Sequence, residues 1–388
     1  PPLDPHPARP LARPPTRPRT PPREPPPPHD TAPPQPPTPT ALPPPPPNHP
    51  RKVDDDSEST ENGAVGATTN PTIVGTVMQQ EYEQWAPRVR EIAAEHPTWT
   101  DQQVTWQIIE EMAIRGWKML EPIWHESHGQ KGRLSIQIDP TLNRSPARML
   151  EQARHFDTLA PNVQIKFPAT AAGVEAIEQA TYEGININAT VSFTVPQALA
   201  VGEAVDRALK RREADGHDTS WMSPVCTIMI GRTDDWVKAS AKRDGITLDP
   251  DVADWAGIAA FKRAAAIFQE RGYRARLLAA AYRHHRHWSE LIGGDISMTI
   301  PFAWQKLFNA ATIEVRDRWS DPVPERAVAQ LQALSPEFVK AYEPDGLTIA
   351  EFDSYGGTMR TLRAFIASYW ELVGTIDDLM IPDPDVKA

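Results

Sequence analysis

The residue with the most chemistry to offer is a lysine inside a strand-like run. Val163–Pro168 (VQIKFP) alternates Val163, Ile165 and Phe167 with Gln164 and Lys166, and successive side chains of a strand point to opposite faces. Two further runs share the pattern. Gly132–Asp139 (GRLSIQID) sets Leu134, Ile136 and Ile138 against Arg133, Ser135, Gln137 and Asp139. Ile185–Phe193 (ININATVSF) sets Ile185, Ile187, Ala189, Val191 and Phe193 against Asn186, Asn188, Thr190 and Ser192. Strands of a buried parallel sheet are usually apolar almost throughout. Three that carry a polar face predict a hydrogen-bonded polar interior, because buried polar groups are costly without partners. A lysine on that face loses hydration, which lowers its pKa from about 10.4 and frees the amine near neutral pH. A free amine adds to a ketone or aldehyde as a Schiff base, whose iminium draws in the electrons of a neighbouring carbon–carbon bond. The residues leave a second reading open, a structural lysine paired with Asp139 or another interior acid.

The elements around these runs alternate. Ala64–Pro71 is short and ends in a turn signal, and Thr72–His96 has helical apolar spacing up to Pro97. Thr100–Ser127 is a second long helical stretch with Thr100 and Asp101 as N-cap candidates. Helices are predicted from about Ser145, over Ala171–Glu183 closed by Gly184, near Pro196–Arg212, from Asp234, and over Asp251–Arg271. Val225–Gly231, Arg276–Ala281 and Ile296–Ile300 read as further strands. This alternation indicates βαβ units and a parallel sheet. Seven strands are clear, and an eighth is expected around Lys52–Ser57. Eight would close an α/β fold of the (β/α)8 TIM-barrel type, whose site lies at the C-terminal strand ends. After Asp321 the chain reads as helices only, the strongest being Thr358–Met380, placed to fold over one barrel end.

Composition narrows the function classes. Residues 1–50 hold 25 of the 43 prolines among 388 residues. Proline removes backbone donors and fixes φ, so residues 1–52 are expected to be a disordered proline-rich tail and 53–388 the barrel with its C-terminal helices. The tail reads as a docking peptide for an SH3- or WW-like groove or as a spacer. A net charge of −11 argues against a nucleic-acid partner held by bulk electrostatics. The single cysteine, Cys226, excludes an intrachain disulfide framework. No apolar run reaches 18 residues and no secretory h-region opens the chain, so no membrane partner and a cytoplasmic location are expected. The chain begins at Pro1 rather than methionine, which suggests a fragment or a misread start. His284, His285 and His287 cluster beside Arg283; without metal-ligand spacing they read as a polar loop or helix surface. HESH at His125–His128 is not HExxH, and neither a P-loop nor GxGxxG occurs, so no metal or nucleotide cofactor is expected.

Six strings in order carry a resemblance: GATTNPTIV at Gly66–Val74, GRLSIQI at Gly132–Ile138, IKFPAT at Ile165–Thr170, EGININATVSF at Glu183–Phe193, IGRTDDW at Ile230–Trp236 and AAYRH at Ala280–His284. Over about residues 64–381 the chain resembles the transaldolase family of Schiff-base (class I) aldolases. The resemblance implies that Lys166 is the Schiff-base lysine and that Asn70 contacts substrate. It implies that Asn188 and Thr190 orient substrate and a catalytic water, and that Arg232 and Arg283 bind the sugar phosphate, as planar guanidinium groups do well. Gln137 stands where the family usually has a glutamate; related fructose-6-phosphate aldolases also carry glutamine there. Thr227 replaces a substrate-site serine and keeps the hydroxyl, while Ala281 replaces another and loses it. The best candidate for the family's acid/base aspartate is Asp56, 14 residues before Asn70, which is close spacing for a whole strand–helix unit. The implied activity is transfer of a dihydroxyacetone unit from a ketose phosphate to an aldose phosphate, in carbohydrate metabolism of the pentose phosphate type, with no cofactor. A homodimer is the expected assembly. The alternatives are cleavage of fructose-6-phosphate aldolase type, or an inactive barrel with a binding role.

Overall fold

The computed structural model describes residues 64–385 and the backbone of Arg51–Val53. Residues 1–50 of the tail expected over 1–52, and Asp56, lie outside the described residues. The strands are β1 (Arg51–Val53), β2 (Gly66–Thr68), β3 (Arg133–Gln137), β4 (Val163–Pro168), β5 (Ile187–Thr190), β6 (Val225–Ile228), β7 (Arg276–Ala279) and β8 (Ser297–Thr299). They form one sheet in the order β1-β8-β7-β6-β5-β4-β3-β2, every pair parallel. The sheet curls until its two end strands, β1 and β2, come into contact, and the Oγ1 atoms of Thr68 on β2 and Thr299 on β8 are 3.1 Å apart. This is the expected TIM barrel, nearly closed. The eighth strand begins at Arg51, so the boundary expected between residues 52 and 53 falls within it; residues 54–57 of the expected run lie outside the described residues.

Helices follow the strands and pack on their apolar faces. They are α1 (Pro71–Gln80), α2 (Tyr82–Glu95), α3 (Asp101–Glu126), α4 (Pro146–Asp157), α5 (Ala171–Glu183), α6 (Val195–Ala214), α7 (Ile230–Arg243), α8 (Pro250–Ala253), α9 (Ala256–Arg271), α10 (Arg286–Ser289), α11 (Phe302–Ala310), α12 (Glu325–Leu334), α13 (Pro336–Tyr342) and α14 (Gly356–Met380). Many starts are written in local chemistry. Asn70, Thr100, Ser145, Thr170 and Thr194 each accept a backbone N–H of the helix they open. Gly184, at φ +93°, ends α5 where a left-handed residue is needed. Ile136, Ile165, Phe167, Ile187 and Ala189 are fully buried between strands and helices; each large apolar side chain hidden this way contributes about 1.5–3 kcal/mol.

Two predicted helices are each divided. The stretch Thr72–His96 breaks at Glu81, whose carboxylate accepts from Trp85 Nε1 at 2.9 Å and Arg115 at 2.6 Å. Asp251–Arg271 becomes α8 and α9, separated at Asp254–Trp255. The last helix, α14, lies across α1, α2 and α3 and reaches α7. It is pinned to the barrel by the Gln197–Thr358 and Thr72–Ser368 hydrogen bonds, at 3.3 and 3.0 Å.

Backbone crowding fixes where α5 starts. A Cβ on Gly173 would fall on the Pro168 carbonyl oxygen, whereas one on Gly75 in α1 would meet nothing. Gly173→Ala should therefore cost at least about 1–3 kcal/mol, and Gly75→Ala should gain about 0.5–1 kcal/mol by stiffening the unfolded chain and raising helix propensity. Urea unfolding of the two variants checks both signs.

Candidate active site

Strand register brings the polar faces to one interior level. Lys166 on β4 pairs with Gln137 on β3 and with Asn188 on β5, and Pro168 pairs with Thr190. Parallel strands in register turn the same face inward, so Gln137, Lys166 and Asn188 sit side by side inside the barrel. All three, with Thr190 and Thr227, are buried.

The amine of Lys166 donates to the main-chain carbonyl of Thr69 at 2.8 Å. Asp139 accepts instead from the N–H and hydroxyl of Thr141, capping the short turn Pro140–Leu142. The Lys166–Asp139 pair left open by the sequence is thus not formed. Around the lysine, polar groups satisfy one another in a chain. Thr227 Oγ1 donates to Asn188 Oδ1 at 2.7 Å, and Asn188 Nδ2 donates to Ser135 Oγ at 3.0 Å. Ser135 in turn donates to Gln164 Oε1 at 2.9 Å, and Gln164 Nε2 donates to the Ser223 carbonyl at 3.0 Å. Deeper still, Arg133 donates to Ser223 Oγ and to the Trp221 carbonyl. Burial pushes its guanidinium down to about 10, with Asp157 opposing. Among the described residues, the buried oxygens Gln137 Oε1 and, just past β5, Ser192 Oγ have no hydrogen-bond partner. Such atoms in an otherwise satisfied interior are sites for a water or a substrate hydroxyl.

The other expected residues gather at the strand ends. Asn70 caps α1 by accepting the Ile73 N–H at 3.0 Å, which leaves its amide NH2 for other contacts. Arg232, in the first turn of α7, donates to Thr361 Oγ1 on α14 at 3.3 Å and lies over the Phe365 ring at 5.2 Å. Burial, and then Arg283, push its pKa below the usual guanidinium range. Arg283, just past β7, forks onto the Asp235 carboxylate at 2.7–3.2 Å. A Cβ on Gly231 would fall on the Ala281 carbonyl oxygen, so the two arginine-bearing segments touch through backbone. Ala281 itself sits at φ +67°, a region a residue with a Cβ seldom adopts.

Several contributors carried no signal in the sequence. Gln197, on α6, is fully buried and joins the loops after β4 and β5: it donates to the Ala169 and Val191 carbonyls and accepts the Phe193 N–H. Thr361 and Phe365 reach Arg232 from more than a hundred residues away. Arg360, also on α14, donates to the Asp235 carbonyl at 3.4 Å and stands near enough to Arg232 to repel it.

The histidine cluster is not the polar surface the sequence suggests. His287 is fully buried and His284 mostly so, and both meet the buried carboxylate of Asp234, at 2.8 and 3.1 Å. Burial pushes the His287 imidazole below its ordinary range, with Asp234 opposing and His284 and Arg283 adding to the drop. Burial alone would raise Asp234, but the bonds from His284, His287 and the Gly257 N–H prevail and hold it below the usual carboxylate range. The sign for stability follows. His287 stays neutral in the fold, while the unfolded chain takes up a proton below about pH 6.5. Its contribution is therefore present above that pH and is lost as pH falls toward the folded value. Asp234 adds no opposing change in this window, because its own shift acts only near the ordinary carboxylate pKa and below. Unfolding free energy should fall between about pH 7 and pH 5.5, by at most about 1.4 kcal/mol per pH unit for this group. Urea titrations of His287→Asn should show a shallower slope over the same range.

The model for the transaldolase/fructose-6-phosphate aldolase family matches residues 56–343. The transaldolases of Mycobacterium tuberculosis (strain ATCC 25618 / H37Rv) and Mycobacterium marinum (strain ATCC BAA-535 / M) are each 30% identical over 209 residues, 53% of this chain and 55% of the relative. The chain thus spans about half the length of these mycobacterial relatives. The transaldolase of Thiobacillus denitrificans (strain ATCC 25259 / T1) is 28% identical over 307 residues, 72% of this chain and 82% of the relative. Among the described residues no helix is long and apolar enough to cross a membrane. The extent of the family match, on a parallel barrel whose interior carries Lys166, shows that this chain belongs to the transaldolase/fructose-6-phosphate aldolase family.

Proposed function

We propose that the chain is a Schiff-base transaldolase that uses Lys166 to carry a dihydroxyacetone unit from a ketose phosphate to an aldose phosphate. The observation that carries this reading is the setting of the amine. Lys166 Nζ is buried beside Gln137 and Asn188 and donates to a neutral carbonyl, Thr69 O. A carbonyl accepts equally well from –NH3+ and –NH2. The contact therefore survives the loss of the proton that nucleophilic attack requires.

The chemistry balances as follows. The amine adds to the ketose carbonyl carbon, and the resulting carbinolamine loses water to give an iminium. The carbon–carbon bond one carbon beyond the iminium carbon breaks, its electrons form the enamine double bond as the iminium pair returns to nitrogen, and the hydroxyl on the departing carbon gives up its proton as an aldose leaves. The three-carbon enamine then attacks the aldehyde carbon of the acceptor, and water releases the product from Lys166. Thr190 and Gln137 are the groups we assign to hold that water, and the unspent Gln137 Oε1 suits this role. Glutamine cannot titrate, so proton movement needs another group, and Asp56 is our candidate. We assign Asn70, Asn188 and Thr227 to the substrate hydroxyls and Arg232 with Arg283 to the phosphate. The barrel from β1 onward, with its C-terminal helices, carries the activity, in the cytoplasm and as a homodimer, and the proline-rich residues 1–50 take no part in the chemistry.

Gln137 also favours a second reading, release of the three-carbon unit without an acceptor, since a non-titrating residue replaces the family's usual acid. The two separate in one assay. With a ketose phosphate donor, transfer gives product only when an aldose phosphate is added, whereas cleavage gives dihydroxyacetone without it. Lys166→Met should lower kcat/KM by about 10³-fold or more in either case. Retention of activity in that variant would refute the assignment.

A further inference from the structure

We propose that Asp234 and His287 are positioning residues that hold the backbone of Arg283 for a substrate phosphate. This inference rests on the reading above, in which Arg283 receives that phosphate. The two residues form one hydrogen-bonded line. Asp234, fully buried on α7, accepts the Gly257 N–H from the first turn of α9 at 2.8 Å and meets His287 Nε2 at 2.8 Å. His287, fully buried on α10, accepts the Arg283 N–H through Nδ1 at 3.1 Å. A backbone N–H can only donate, so Nδ1 must carry the lone pair and Nε2 the hydrogen. The polarity runs one way, from Arg283 N–H to imidazole to carboxylate.

Two adjacent acids thus hold the same arginine by different parts. Asp234 acts through His287 on its main chain, and Asp235 grips its guanidinium directly. An incoming phosphate can displace Asp235, because both offer oxygens to the same fork. The main-chain anchor is out of its reach and stays. Arg232 lies two residues before Asp234 on the same helix, so one buried carboxylate ties both arginine-bearing segments together.

The same polarity argues against a metal. Asp234, His284 and His287 place one ligand atom each within 4.8 Å of one another, a spacing that suits a cation. A histidine that ligates metal through one nitrogen normally donates a hydrogen from the other. His287 Nδ1 instead accepts, so a cation at Nε2 would require an imidazolate. The cluster is a hydrogen-bond hub.

The test compares a ketose phosphate with the same ketose lacking phosphate. In His287→Gln, where the side-chain amide no longer matches Nδ1, the preference in kcat/KM for the phosphorylated donor should fall about tenfold, the worth of one lost hydrogen bond. The loss should appear in KM for the ketose phosphate. His287→Asn, whose carbonyl oxygen matches Nδ1, should recover most of that preference. An undiminished preference in His287→Gln overturns the positioning role while leaving the reading of Arg283 intact. A wild-type enzyme that turns over both donors equally overturns the phosphate role and this proposal with it. No turnover of either donor overturns the catalytic reading itself, and the present proposal falls too. Should His287→Gln fail to fold, ¹⁵N NMR of the wild-type imidazole at neutral pH still decides. Hydrogen on Nε2 with a bare Nδ1 supports the proposal, and hydrogen on Nδ1 refutes it.

Discussion

An amine buried inside a ring of strands must be met by polar groups, and much of this structure meets that demand. Neighbours that were all apolar would leave Lys166 unsolvated. The barrel provides a main-chain carbonyl from Thr69 and a surrounding set of amides and hydroxyls. Neutral groups of this kind can donate or accept as required. Asn188 shows the economy of the arrangement: one amide, fully buried, joins β3 to β6 through Ser135 and Thr227.

The strand ends follow a different logic. There the charges are many and close. Arg283 and Arg360 repel Arg232, with Asp235 opposing them, an arrangement that an added anion would relieve. Keeping two arginines in place against that repulsion calls for anchors on the backbone. The Gly231–Ala281 contact, the positive φ of Ala281 and the His287 bond to the Arg283 N–H are three such anchors. Helix α14 adds a fourth through Thr361 and Phe365, so a helix far along the chain helps hold the arginine-bearing side of the barrel.

The fold class was legible in the sequence because both of its signals are local. Period-two alternation marks a strand face within six residues, and Asn70, Ser145 and Gly184 mark helix ends within four. The same alternation placed Gln137, Lys166, Asn188 and Thr190 on one interior face, as the register bears out. What stayed hidden depends on contacts between distant segments. The break at Glu81 follows from bonds to Trp85 and Arg115 rather than from any turn residue. His287 reads as surface because its partner Asp234 lies fifty-three residues away in sequence. Thr361 meets Arg232 across 129 positions, and no spacing rule spans that distance. Arg51–Val53 has poor strand composition, and its pairing with β8 is a matter of tertiary context.

The most direct measurement is reductive trapping. Borohydride added in the presence of a ketose phosphate reduces any iminium to a stable secondary amine, and peptide mass mapping then locates it. The account predicts a three-carbon adduct on the peptide that contains Lys166 and on no other lysine. An unmodified Lys166 in protein that turns over its donor, or an adduct on a different lysine, would contradict it.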